Sequence, residues 1–201
     1  MSGNTVNLKK RRFLVAATTA MGGAGIVLAA TPFVLSMTPS ARAKAEGGPV
    51  EVDISKLQEG QLLTVEWRRK PVWILRRPPA MLANLEGLSE ILVDPRSTVL
   101  SQQPSYARNL YRSIRPEVLV LLAVCTHLGC VPAQHVEPGT PSGLGENWPG
   151  GFFCHCHGSK FDLAGRVFKR VPAPTNLVVP PYRFANDTRI VLGEDSVGGN
   201  A

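Results

Sequence analysis

Two six-residue segments of the sequence contain all four cysteines and three of the four histidines. Thiolate and imidazole groups are ligands that transition metals bind well, so their clustering indicates a metal centre held between two loops. The first segment is Cys125-Thr126-His127-Leu128-Gly129-Cys130, and the second is Cys154-His155-Cys156-His157-Gly158-Ser159.

Three simple patterns account for these residues poorly. Structural zinc sites usually pair ligands of one type, as C-x2-4-C and H-x3-5-H, whereas each segment here mixes both types. A ferredoxin-like cluster with four cysteine ligands fits the spacing of Cys125 and Cys130, but Cys154 follows only after a long segment without cysteine. Two plain disulfides leave the clustered histidines without a role.

A binuclear 2Fe-2S cluster with mixed ligands uses these residues fully. One iron then receives Cys125 and Cys154, and the other receives His127 and His157. Each segment thereby supplies one ligand to each iron.

The two remaining cysteines, Cys130 and Cys156, lie one in each segment. They can pair as a disulfide in an oxidising compartment, where the bond restricts the separation of the two loops. A zinc-stabilised, membrane-tethered binding module stays as the alternative. Electron paramagnetic resonance of the reduced protein separates the two hypotheses, because zinc gives no signal.

The elements that position these segments have the pattern of an all-β domain. The apolar run Glu117 to Val124 predicts a buried strand that leads directly into Cys125, and Phe152-Phe153 leads into Cys154 in the same way. Short runs rich in Val, Leu and Trp predict further strands at Val50 to Ile54, Leu62 to Trp67, Pro71 to Arg76, Leu177 to Val179, Tyr182 to Ala185 and Thr188 to Leu192.

Two other segments of the domain have different patterns. Ala80 to Leu92 has apolar residues at helical spacing, which predicts one helix. Pro138 to Gly151 contains three prolines and five glycines, which predicts a surface loop between the two cysteine-containing segments.

The amino terminus has the pattern of a membrane anchor. Lys9 to Arg12 are all basic, and the long run from Phe13 to Met37 contains no charged residue. A helix over that run reaches about 37 Å, enough to cross a hydrocarbon core of about 30 Å. The basic flank predicts that the amino terminus stays in the cytoplasm. Arg11-Arg12 also resembles a twin-arginine export signal, a route for proteins that fold before they cross the membrane.

A cleaved signal peptide is the competing interpretation, because Ala41-Arg42-Ala43 has the small-x-small form of a cleavage site. The apolar run is too long for such a signal, so we expect a retained anchor. The small, polar residues 38–49 predict a flexible linker. The predicted organisation is a basic cytoplasmic segment with the export signal (1–12), a transmembrane helix (13–37), the linker (38–49) and a folded domain (50–201).

The net charge of +7 does not indicate nucleic-acid binding. Residues 1–49 hold six Lys or Arg against one Glu, whereas residues 50–201 hold 16 against 14. The basicity therefore belongs to the amino terminus, and the folded domain has no excess charge of the size that phosphate binding requires.

The two motifs, C-T-H-L-G-C and C-x-C-H-G-S, resemble those of the Rieske iron-sulfur proteins of bacterial quinol-cytochrome c reductases, the cytochrome bc complexes. The resemblance covers the whole chain, and Val171-Pro172-Ala173-Pro174 resembles the family's proline loop. It implies an antiparallel β-sandwich Rieske domain with a cluster-binding subdomain, preceded by one transmembrane helix. Carried over to this chain, it implies iron ligands Cys125, His127, Cys154 and His157, a disulfide between Cys130 and Cys156, and a Ser159 hydroxyl bonded to a bridging sulfide.

The resemblance also implies a function and partners. His157 accepts a hydrogen bond and a proton from quinol, His127 is the second exposed imidazole, and the electron passes to a c-type cytochrome. Leu128 and Pro172 belong to the apolar rim that docks on cytochrome b. The complex is expected to be dimeric and to lie in the bacterial inner membrane, with the Rieske domain in the periplasm. The rival hypothesis is a Rieske subunit of another exported oxidoreductase, of the arsenite oxidase type.

This sequence departs from the family pattern at two positions. The family often has proline where His155 stands, and we expect His155 to point to solvent rather than to bind iron. Many respiratory members have, at the position of Phe161, a tyrosine whose hydroxyl bonds a ligand sulfur. Its absence predicts a midpoint potential that is high but not maximal. His135, in the intervening loop, is expected to be a surface residue.

Overall fold

The computed structural model describes residues 7–40 and 47–195. The chain forms two compact units, Met1–Ala45 and Glu46–Ala201. The predicted cleavage motif Ala41-Arg42-Ala43 and the middle of the predicted linker lie outside the described residues.

The first unit contains one long helix, α1 (Leu8–Ser36), with a mean hydropathy of 1.9 over its most apolar window. The Asn7 side chain accepts a hydrogen bond from the Lys10 backbone N–H at 3.1 Å and caps the helix. The helix has no buried residue, and its length and composition suffice to cross a membrane. It begins ahead of the predicted span, so Lys9 to Arg12 lie in its first turns rather than before it.

The second unit is built from nine strands in three antiparallel sheets of three strands each, in the part of the chain that the structure describes. The first sheet has the order β1-β9-β8, the second β2-β3-β4 and the third β5-β6-β7. The strands are β1 (Val50–Asp53), β2 (Leu62–Trp67), β3 (Lys70–Arg76), β4 (Val118–Leu122), β5 (Ala133–His135), β6 (Gly151–Cys154), β7 (Ser159–Asp162), β8 (Tyr182–Asn186) and β9 (Arg189–Leu192).

One continuous core joins the three sheets. Central strand β3 buries four consecutive residues, and β4 buries four of its five. Trp73 of β3 stacks on Phe152 of β6 with ring centroids 4.7 Å apart, which fixes the third sheet against the second. The third sheet forms a small subdomain. The first cysteine-containing segment leads into its strand β5, and the second connects its strands β6 and β7.

Several sequence predictions of elements are confirmed and others need correction. The predicted strands agree with the observed ones within one or two residues, except that Leu177 to Val179 has no regular secondary structure and joins no sheet. The sequence patterns missed β5 and β7, which are short. The predicted helix Ala80 to Leu92 is wrong as a single element, because the chain forms the five-residue α2 (Pro79–Ala83) and then a separate 3-10 helix (Glu86–Ile91).

Candidate metal centre

The two cysteine-containing segments are loops at the ends of neighbouring strands. The first loop, residues 123–132, connects β4 to β5, and the second, residues 155–158, closes the hairpin of β6 and β7. Cys154 and Ser159 face each other as the last pair of that hairpin. The fold therefore brings together two segments that are well separated in sequence.

Both loops use the same backbone turn. The Gly129 N–H donates to the Cys125 carbonyl at 3.0 Å, and the Gly158 N–H donates to the Cys154 carbonyl at 2.8 Å. Each is a five-residue turn that begins at a predicted ligand cysteine and ends at a glycine. The glycines have φ of +84° and +77°, a left-handed conformation that a side chain disfavours. Each turn encloses the predicted ligand histidine of its own loop, His127 or His157.

A disulfide between Cys130 and Cys156 joins the two loops, with Cα atoms 6.7 Å apart. Cys125 and Cys154 are not in a disulfide. The structure thus divides the four cysteines into one bonded pair and one pair of free thiols.

The free thiols of Cys125 and Cys154 lie next to each other in the interior. Each residue is only 2% exposed. Burial raises the pKa of Cys125, while the His127 backbone N–H and the Ser159 hydroxyl, which donate to its sulfur, act in the opposite direction. Two adjacent buried thiols are deprotonated most readily by a metal that binds both.

The imidazoles of His127 and His157 lie at the edge of the same site. Their ring centroids are 4.8 Å apart and their planes perpendicular. His157 is exposed to solvent and His127 is half-buried. A ligand that reaches both pairs therefore has a buried thiol side and an accessible imidazole side.

The proline loop, residues 171–174, and the following residue Thr175 contact both cysteine-containing loops through two hydrogen bonds. The Thr126 hydroxyl donates to the Thr175 carbonyl at 2.7 Å, and the Ala173 N–H donates to the Ser159 hydroxyl oxygen at 3.0 Å. The contacts of Thr126 and Ala173 were not predicted from the sequence, because main-chain partners leave no sequence signal. The sequence does show a glycine four positions after Cys125 and another four positions after Cys154. This spacing could have predicted the shared turn.

These residues fit a Rieske-type 2Fe-2S cluster. Two thiols and two imidazoles are the ligand set of such a centre, and each loop contributes one of each. The sulfur atoms of Cys130, Cys154 and Cys156 also lie within 4.8 Å of one another, but two of these are joined in the disulfide. The free thiols and the two imidazoles are thus the better ligand candidates.

His155 and His135 lie apart from this ligand set. The exposed His155 and the half-buried His135 approach each other, with their Nε2 atoms 3.5 Å apart. The sequence indicated that His155 is exposed, and the structure agrees. Its proximity to His135, which lies on the preceding strand β5, was not predicted.

Comparisons with known proteins agree with this geometry. A model of the Rieske [2Fe-2S] domain matches residues 92–183, and a model of the ubiquinol-cytochrome c reductase iron-sulfur subunit TAT signal matches residues 1–40. These matches and the loop geometry define a Rieske protein, whose cofactor is a 2Fe-2S cluster.

Comparison with curated relatives shows which kind of Rieske protein this chain resembles. The chain is 58% identical to the ubiquinol-cytochrome c reductase iron-sulfur subunit of Allochromatium vinosum, over 97% of this chain and 93% of that protein. It is 42% identical to the subunit of the same name from Blastochloris viridis, over 96% of this chain and 97% of that protein. A solved structure titled "Hyperthermophilic respiratory Complex III" is 25% identical, covers 89% of this chain and 98% of its own, and has a TM-score of 0.46.

The chain belongs to the family of ubiquinol-cytochrome c reductase iron-sulfur subunits. This membership favours a quinol-cytochrome c reductase subunit over a subunit of the arsenite oxidase type. It also favours an iron-sulfur cluster over structural zinc. The amino-terminal helix and the match to the TAT signal fit a membrane-anchored, exported subunit.

Proposed function

We propose that this chain takes electrons from quinol and passes them to a c-type cytochrome, as a subunit of a dimeric cytochrome bc complex. Its iron ligands are Cys125, His127, Cys154 and His157. The observation that carries the proposal is the position of His157, which is exposed in the same site whose thiols are almost fully buried. A substrate in an apolar pocket of a partner subunit can thus reach an imidazole without reaching the thiols.

The cluster, when bound, supplies a one-electron acceptor of higher potential than a cluster with four thiolates, because neutral imidazoles replace two negative ligands. The ring nitrogen of His157 that faces solvent accepts the hydrogen bond of a quinol hydroxyl and then its proton. His127 contacts the His157 ring edge to face and restricts its orientation. His157 thus binds the quinol and takes its proton at the site where the cluster, when bound, would accept the electron.

The surface around these histidines is suited to docking on cytochrome b. Leu128 lies directly after His127 and is 70% exposed, and Pro172 of the proline loop is also exposed. Apolar side chains around an exposed polar group exclude water when a partner covers them. This rim closes the quinol pocket from the side of the Rieske domain.

We infer that α1 spans the bacterial inner membrane with its amino terminus in the cytoplasm. The basic residues Lys9 to Arg12 at the start of α1 support this orientation through the positive-inside rule. The Rieske domain then lies in the periplasm, where a disulfide is stable. We propose that the domain moves between the quinol pocket and the cytochrome.

Pulsed electron paramagnetic resonance of the reduced protein, labelled with ¹⁵N-histidine, tests the ligand set. Two strongly coupled histidine nitrogens are expected. One or no coupled nitrogen contradicts the assignment of His127 and His157.

A substitution at the rim tests the docking function. Leu128→Glu places a charge in the apolar contact, and we expect quinol-dependent reduction of the cytochrome to slow at least about tenfold, since a buried charge costs several kcal/mol. The spectrum of the cluster should not change. Leu100→Glu is the matched control, because Leu100 is 67% exposed and lies in a different segment. Full turnover of the Leu128 variant overturns the docking assignment.

A further inference from the structure

The pair of His135 and His155 is the feature that the proposed electron transfer does not use. Both residues lie in the third sheet and its hairpin loop, and neither is in the predicted iron ligand set. Their Nε2 atoms are 3.5 Å apart. Two imidazoles bound to one tetrahedral zinc ion, at about 2.0 to 2.1 Å each, have nitrogens about 3.3 to 3.4 Å apart. The observed separation is therefore close to that of two ligands of one zinc ion.

The hydrogen bond of His135 through Nδ1 leaves its Nε2 free to bind a metal ion. Its Nδ1 lies 3.1 Å from the Ser142 carbonyl oxygen, which can only accept, so Nδ1 carries the proton. In the neutral ring the lone pair is then on Nε2, the atom that faces His155. A carbonyl that fixes the second nitrogen in this way is the usual outer contact of a metal-binding histidine.

The surroundings hold both rings in place before any ion arrives. The Trp148 indole N–H donates to the His135 carbonyl oxygen at 2.8 Å and anchors the end of β5. The Phe153 ring stands nearly perpendicular to both imidazoles, with centroids 4.8 Å from His155 and 6.1 Å from His135.

We propose that His135 and His155 bind a zinc ion at the surface beside the second cluster-binding loop. Water completes its coordination. The ion joins the loop that carries Cys154 and His157 to strand β5, which precedes the long connection into β6. It thereby stabilises the cluster-containing form of the domain without binding the cluster ligands.

Calorimetric titration of the full, cluster-loaded chain with zinc chloride tests this proposal. We expect one bound ion, with affinity reduced about tenfold or more in His155→Gln and in His135→Gln, since removing an outer contact alone costs a metal site about 10- to 100-fold. Gln134→Ala is the control, because Gln134 is exposed on the same strand and carries no imidazole. Undiminished binding in the two histidine variants overturns the proposal.

Two further measurements keep the result interpretable. Zinc absorption-edge spectroscopy of the titrated protein should show nitrogen and oxygen neighbours, and sulfur neighbours contradict the site because they indicate zinc at the cysteines. Zinc should also slow the loss of the cluster colour in guanidinium for the wild type but not for His155→Gln, since an ion that binds only the folded form stabilises it. His155 is exposed, so its substitution leaves the fold intact even if His135→Gln does not.

Discussion

At the scale of single residues, Ser159 and Phe161 act on the same side of strand β7. The Ser159 hydroxyl accepts from the Ala173 N–H and donates to the sulfur of Cys125. Phe161 lies two positions further along, fully buried, on the same face of the strand. It offers no hydroxyl donor, unlike the tyrosine that the family resemblance leads us to expect at this position.

Phe161→Tyr is expected to raise the midpoint potential of the cluster. A hydroxyl that reaches a ligand sulfur contributes about 1 kcal/mol. It favours the reduced form, and that free energy corresponds to about 40 mV for a one-electron couple. Protein-film voltammetry measures the shift.

Two companion variants sharpen this test. Ser159→Ala should lower the potential, since it removes an existing donor. Phe184→Tyr makes the same chemical change in β8 of the first sheet and should leave the potential nearly unchanged. A lower or unaltered value for Phe161→Tyr would refute the placement of residue 161 beside the cluster.

At the scale of elements, the shared five-residue turn is the unit that shapes each loop. Because Gly158 has φ of +77°, a β-branched side chain there costs about 1 to 2 kcal/mol. We expect Gly158→Val to release the cluster at a lower guanidinium concentration, measured by visible absorbance.

Gly87 provides the matched control for that turn. It has no positive φ, and a methyl group there meets nothing within 4 Å. Gly87→Val should therefore change the midpoint of cluster loss much less. Equal effects at both positions would show that the turn conformation of the second loop is not the cause.

The loops and the ligand candidates could be predicted from the sequence, because their chemistry depends on residue type and short-range spacing. The segment at 177–179 could not be distinguished from a strand by its sequence. Its backbone forms hydrogen bonds with separate segments: the Leu177 N–H with Gly165, the Val179 N–H with Gln102 and the Val178 carbonyl with Leu122. Apolar β-branched residues fit such a position as well as a sheet, and only tertiary structure decides between them.

At the scale of the whole molecule, the domain contains a buried group of charges that no sequence pattern indicates. Arg77, Arg112, Arg166 and Asp162 are each at most 1% exposed. Burial lowers the pKa of Arg77 and of Arg112 to about 10, so both stay charged at neutral pH. Arg166 binds Asp162 at 2.7 Å and also donates to the carbonyl of Leu85. These charges connect segments that are distant in the sequence.

Asp162→Asn is expected to destabilise the domain by about 3 to 5 kcal/mol, because it leaves the buried Arg166 without its counter-ion. Thermal unfolding of the cluster-loaded protein gives the change. Asp187→Asn is the control, since Asp187 is 92% exposed in its pair with Arg115 and should cost at most about 1 kcal/mol. Similar losses in the two variants would contradict the structural importance of the buried pair.

Stiffening the linker tests motion of the whole domain. Gly47 and Gly48 already bond to the folded unit through Arg68 and Trp67, so stiffening substitutions belong before them. Ala43→Pro with Ala45→Pro should slow cytochrome reduction several-fold while the resonance spectrum of the cluster stays unchanged, because proline fixes φ. The same positions changed to glycine should keep normal turnover. Normal turnover in the proline variant would argue against a moving domain.

The bond between Cys130 and Cys156 implies an order of assembly. Cytoplasmic reductants keep both thiols reduced, so in a chain that folds before export the cluster would be inserted before this bond forms. Oxidation would then follow in an oxidising compartment. Once formed, the bond restricts the separation of the two loops, so a cofactor that enters afterwards must pass between loops that are already joined.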